Sequence, residues 1–156
     1  MAFNPAYPVA YVLNELITGI TTFDYDAAEG TLSGGETLPA VPRGSPEPLY
    51  GAHVEASPDG RFVYASARGR GAGTSCIAVF AVGERGRLLS PPVQFMHGLA
   101  WPRDFALSRD GRALVVANQH ADTVCVYARD VGSGALTLVG EFPTAPTRAP
   151  ACVVFV

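Results

Sequence analysis

His53 and Glu55 stand two residues apart in a stretch that reads as a β-strand, so both side chains leave the same face. Histidine is the side chain whose proton moves most readily near neutral pH, and a nearby carboxylate would tune and orient it. The pair is therefore equipped for general acid–base work. The bland reading of His53 is an imidazole bonded to a loop carbonyl. Asn14, Asn118 and Asp104 are oxygen donors suited to a hard cation, but their spacing carries no metal signature. No Gly-x-Ser-x-Gly elbow and no phosphate-cradling glycine loop occurs. All eleven basic residues are arginine, which excludes Schiff-base chemistry through lysine.

The elements that must position these groups recur. His53 to Arg68, HVEASPDGRFVYASAR, reads as strand, tight turn, strand. Its corner has a mechanism: Pro58 fixes φ, Asp59 bonds its own backbone and Gly60 tolerates the left-handed position. Asp104 to Gln119, DFALSRDGRALVVANQ, repeats the pattern with Gly111 lying 51 positions after Gly60. Asn4 to Glu15 opens the chain with a third copy. An all-strand period of about 40–50 residues is the signature of a propeller blade. The expected fold is thus all-β, a partial β-propeller of three four-stranded blades and one orphan inner strand. The blades cover about residues 1–40, 51–95 and 103–142, and 152–156 is a closing strand.

Within the blades the strands are expected at 1–4, 8–13, 19–25 and 31–38, then at 53–57, 62–67, 76–82 and 88–95. The third blade runs 103–108, 113–117, 123–128 and 135–142. Several strands are apolar throughout, as in a sheet covered on both faces. Propellers close with about 4–8 blades, so three blades and an unpaired inner strand read as part of a longer propeller, or as a protomer that pairs with another copy. Short a–b and c–d turns leave one end plain, and the longer loops gather at the other. His53, Glu55, Arg103 and Asp104 then lie at the channel mouth. Glu15, Arg68 and Gln119 occupy one equivalent position in the three copies, and three different polar groups there point to function rather than to folding.

A hydrophobic fraction of 48% against 16% charged residues argues for extensive burial. A net charge of −3 gives no nucleic-acid footprint. Cys76, Cys125 and Cys152 are an odd count without metal spacing, which reads as free thiols in a reducing compartment. The start of the chain lacks a signal-peptide pattern and no run could span a bilayer. A cytoplasmic protein without membrane contact is expected.

Tyr11-Val12-Leu13-Asn14-Glu15-Leu16, Ser57 through Ser66, Ile77-Ala78-Val79-Phe80, Pro102-Arg103-Asp104-Phe105 and Val116-Ala117-Asn118-Gln119 resemble the lactonase-type seven-bladed propellers, which include 6-phosphogluconolactonase and carboxy-muconate cyclase. The whole chain is similar to that family's last three blades. Glu15, Arg68, Arg103 and Gln119 fall where the family carries like residues. Departures cluster at the same place: Ala67 replaces an Asn or Asp, His53 and Glu55 are exchanged in order, and Gly69 to Ser75 lengthens a loop. The resemblance implies a hydrolase opening an anionic sugar-acid lactone without a cofactor. His53 with Glu55 would be the base, Arg68 and Arg103 anchors for phosphate or carboxylate, and Glu15 and Gln119 would orient hydroxyls or water. A non-catalytic propeller scaffold of the Tyr-Val-Thr-Asn repeat type is the alternative.

Overall fold

A computed structural model describes residues 1–71 and 73–156. Its described strands pair only with chain neighbours, giving three antiparallel meanders. The first is β1 (Ala2–Phe3), β2 (Val9–Asn14), β3 (Gly19–Asp26) and β4 (Thr31–Pro39). The second is β5 (Tyr50–Ala56), β6 (Phe62–Arg68), β7 (Ser75–Ala81) and β8 (Gln94–Leu99). The third is β9 (Pro102–Leu107), β10 (Ala113–Asn118), β11 (Thr123–Arg129) and β12 (Leu136–Pro143). The three sheets are the expected blades. No helix among the described residues is long and apolar enough to cross a membrane.

The repeated turn has one chemistry in both copies. Asp59 Oδ1 accepts from Arg61 N–H at 3.0 Å, and Asp110 Oδ1 accepts from Arg112 N–H at 3.0 Å. Gly60 and Gly111 follow with φ of 69° and 66°, which a Cβ would resist. The Gly60 turn and Arg68 lie at opposite ends of β6, as the Gly111 turn and Asn118 do of β10, so the polar loops face away from the plain end.

Burial distinguishes the middle blade from its neighbours. Every residue of β6 is buried, whereas β10 alternates over its first half and β11 alternates over most of its length. Apolar runs without alternation are what two covered faces require. The blades are also joined by a repeated bond. Tyr11 Oη donates to the Gly86 carbonyl at 2.8 Å, and Tyr64 Oη donates to the Gly134 carbonyl at 2.8 Å. Each hydroxyl reaches from the second strand of one blade to the c–d turn of the next. Arg129 reinforces the second joint, donating to Tyr64 Oη at 2.6 Å and to the Gly111 carbonyl at 2.9 Å, and pairing with Asp59.

Two expected strands differ. The outer strand of the second blade is Gln94–Leu99, not 88–95; Leu88 makes only an isolated bridge to Val82. Pro91 and Pro92 lack the N–H a ladder needs, so pairing starts beyond them. The d–a connection expected at Met96 to Pro102 thereby shrinks to Ala100 and Trp101. Residues 152–156 pair with no strand, and Val153 N–H instead donates to Asp104 Oδ2 at 2.9 Å. An inner strand needs a second strand to complete its ladder, and none follows it among these residues.

Candidate active site

The inner strands β5 and β9 each carry a bulge near the polar end. Gly51 pairs with Ala67 and Val54 with Ala65, so Ala52 and His53 together oppose Ser66. Asp104 pairs with Ala117 and Pro102 with Asn118, leaving Arg103 without a partner. A bulge bends its strand and re-aims side chains. Here the re-aimed positions are the ones carrying Arg103 and His53.

A cavity of about 300 Å³ opens at this end, lined by Leu13, Glu15, Gly51, Ala52, Arg68 and Arg103. Arg68 is buried at 5% exposure although it is charged. Its Nη2 donates to Glu15 Oε1 at 2.7 Å and to the Gly51 carbonyl at 2.9 Å. Gly51 must be glycine here, because a Cβ would meet the Asn14 carbonyl and Leu13 at 2.9 Å. The Arg68 Nε has no hydrogen-bond partner among the described residues and is fully buried. The indole of Trp101 lies 5.2 Å from the guanidinium and stacks on His120 at 4.7 Å with 12° between the planes.

His53 belongs to a second group beside this cavity. Its Nδ1 bonds Asp104 Oδ1 at 3.0 Å, and its ring meets Phe105 edge-on at 4.8 Å. Burial holds the imidazole below its usual range despite the raising effect of Asp104. The ring is therefore neutral at pH 7, with Nε2 left as an acceptor. Glu55 is not its partner, contrary to the expectation from strand alternation. The Glu55 carboxylate instead accepts the Leu107 N–H at 3.0 Å, filling a bond on the unpaired edge of β9. Burial pushes its pKa up to about 7, with the Leu107 bond opposing and Asp104 adding to the rise.

Glu15, Arg68 and Arg103 are thus brought together, as are His53 and Asp104. The two groups adjoin through the neighbours Ala52–His53 and Arg103–Asp104, but His53 does not line the cavity. Gln119 joins neither; it sits in a short 3-10 turn whose N–H caps the Trp101 carbonyl at 3.2 Å. The amides of Asn14 and Asn118 close their own b–c turns, onto Thr21 and Thr123, rather than facing an ion. Among the described residues no group of three metal-binding side chains forms. Ser75 was not foreseen: its buried hydroxyl accepts from Gly69 N–H at 3.0 Å and from Trp101 N–H at 3.3 Å, tying two loops together.

Residues 1–155 match the model of the family described as Lactonase, 7-bladed beta-propeller. A 6-phosphogluconolactonase of Bacillus subtilis is 30% identical over 99% of this chain and 43% of its own length. One from Pectobacterium carotovorum is 33% identical over 91% of this chain and 41% of its own. Among solved structures, a Lactobacillus plantarum protein superposes with a TM-score of 0.85 at 31% identity, over 97% of this chain and 42% of the other. The periplasmic gluconolactonase of Pseudomonas aeruginosa gives 0.82 at 28%, over 96% and 39%. The chain spans about two fifths of the relatives it matches.

Proposed function

This chain belongs to the seven-bladed β-propeller lactonase family, and we propose that it supplies the substrate site of a lactonase acting on an anionic sugar-acid lactone such as 6-phosphogluconolactone. One observation carries this reading. Two arginines and a carboxylate line a single cavity, directly beside a neutral histidine held by an aspartate. Arg68 and Arg103 anchor the anionic group, since a guanidinium fork meets phosphate or carboxylate bidentately. Glu15 fixes Arg68 and offers its second oxygen to a substrate hydroxyl. His53, oriented through Nδ1 by Asp104, takes a proton from water at Nε2. The hydroxide adds to the lactone carbonyl, the ring C–O bond breaks, and the imidazolium returns its proton to the departing alkoxide, leaving the open hydroxy acid. Three free thiols, one of them exposed on Cys152, support a reducing compartment and hence the cytoplasm.

Lactone hydrolysis by the protein, followed by acid release, tests the assignment. Arg103→Ala should raise KM by about tenfold or more with kcat within about threefold, because uniform binding of an anion is lost. Unchanged KM with a lower kcat would remove Arg103 from the anchor role. His53→Ala should cost about 10²-fold or more in kcat. A protein that binds the anion and opens no lactone would instead be the scaffold, a reading favoured by the position of His53 outside the cavity.

A further inference from the structure

After the outermost strand, β12, the chain crosses back over the polar end of the third blade to its innermost strand, β9. Thr144 N–H and Oγ1 both donate to the Asp122 carbonyl at 2.9 Å, and Ala149 N–H donates to Asp122 Oδ1 at 2.8 Å. Val153 N–H then meets Asp104 Oδ2 at 2.9 Å, leaving the other carboxylate oxygen to His53. We propose that residues 144–153 form a strap that positions the acid–base pair: Val153 steadies the Asp104 carboxylate and, through it, the imidazole of His53. The proposal rests on the lactonase reading for the use of His53, and adds a distant segment that governs it.

The Val153 bond is one of a repeated kind, put to a different use. One blade earlier Glu55 accepts the Leu107 N–H, so each inner strand offers a carboxylate to the inner segment that follows it. Asp104 alone carries the contact on to a histidine, through its second oxygen. Within residues 151–156 Val153 is half-buried and the others are exposed, so the segment is held at that residue and not by packing along its length. The electrostatics follow from the bond. Burial and the Met1 amino group lower the His53 midpoint, and Asp104 raises it. A carboxylate that accepts a main-chain N–H has its charge shared, and pulls less strongly on an imidazolium. Val153 thus moderates the one raising influence and helps to keep the base neutral.

Val153→Pro removes the N–H, and Val153→Ala keeps it. Asp122→Gly suits the left-handed backbone of that residue, φ 57°, and removes the Oδ1 acceptor of the Ala149 N–H. Cys152 reports release, since Asp104 holds its exposed thiol above the usual range while Cys76 and Cys125 are buried. Labelling by N-ethylmaleimide should quicken about threefold or more in Val153→Pro and Asp122→Gly, and stay unchanged in Val153→Ala. In the two released variants the His53 midpoint, followed by NMR of the imidazole, should rise by about half a pH unit or more. Their kcat should fall about tenfold at unchanged KM, because the anion anchors are untouched. Faster labelling with an unmoved midpoint overturns the strap, and so does unchanged labelling in both variants. A midpoint that moves in a protein opening no lactone sinks the lactonase reading and keeps the strap's hold on the pair. Lactone turnover that the variants leave unaltered, with the midpoint unmoved, does the reverse.

Discussion

Glu55 and His53 share a strand face yet answer to different neighbours on β9, and their titrations should differ accordingly. Glu55 has a folded pKa of about 7 against an ordinary 4.5, so folding favours its protonated form. The stability it contributes is complete below the ordinary value and is lost as pH rises through about 7. Melting temperature should therefore fall between pH 5 and 8 in the native protein relative to Glu55→Gln, whose amide oxygen still accepts the Leu107 N–H; one kcal/mol corresponds to roughly 2–4 °C at this size. Parallel curves would mean that Glu55 titrates normally. For His53 the sign is opposite: its base form persists below the ordinary range, and Asp104→Asn, by removing the raising charge, should move the acid limb of kcat/KM to still lower pH. A limb that stays put would show that another group is the base. The His53–Asp104 pair was legible in the chain. His53 and Asp104 are equivalents at the 51-residue offset, and equivalent residues of adjacent inner strands meet, as Glu15 and Arg68 do one strand out. The i, i+2 alternation that suggested Glu55 describes a face, not which neighbour occupies it.

The blade is the element that the sequence specifies best, because turn chemistry and apolar runs repeat with it. Ten of the expected strands match observed ones to within one residue at each end, and β5 starts early, at Tyr50 rather than His53. The outer strand of the second blade was misplaced where apolar Leu88 and Leu89 outweighed Pro91 and Pro92 in the reading. The joints between blades carried less signal, being single hydroxyls aimed at a carbonyl about 70 residues away. They matter energetically. Tyr64→Phe strips a donor from the Gly134 carbonyl and an acceptor from the buried Arg129 Nε, which should cost about 1–3 kcal/mol. Tyr11→Phe should act likewise through Gly86 and Asn4. At the same position the third blade has Val115, half-exposed, so Val115→Tyr should change stability by no more than about 0.5 kcal/mol. Chemical denaturation of the three variants checks the ranking; equal effects at all three positions would mean that the joints do not hold the blades.

At the scale of the molecule, the middle blade is covered on both faces and the other two on one each. Val12 and Phe23 on the first blade, and Val115 and Val126 on the third, are only half-buried, while Val63, Ala65 and Val79 between them are fully buried. On β12, Leu138, Val139 and Phe142 are each more than half exposed. Monomers rarely leave apolar patches beyond a few hundred Å² open to water, and a strand without a partner invites pairing with another chain. The 156-residue chain should accordingly sediment as a self-associated species, or precipitate, rather than as a monomer. Two copies offer one solution, since the outer face of a third blade could seat on that of a first blade and close a six-bladed ring. The joint so formed would lack its hydroxyl at Val115, which makes Val115→Tyr informative a second time. If copies do meet in that way, the variant should tighten the assembly, with its Oη reaching the turn at Gly30, where a Cβ would meet nothing within 4 Å. Sedimentation velocity across a concentration series decides between these outcomes. A compact monomer with one cooperative melt would overturn the expectation, and would require the half-buried valines to be tolerated in water as they stand.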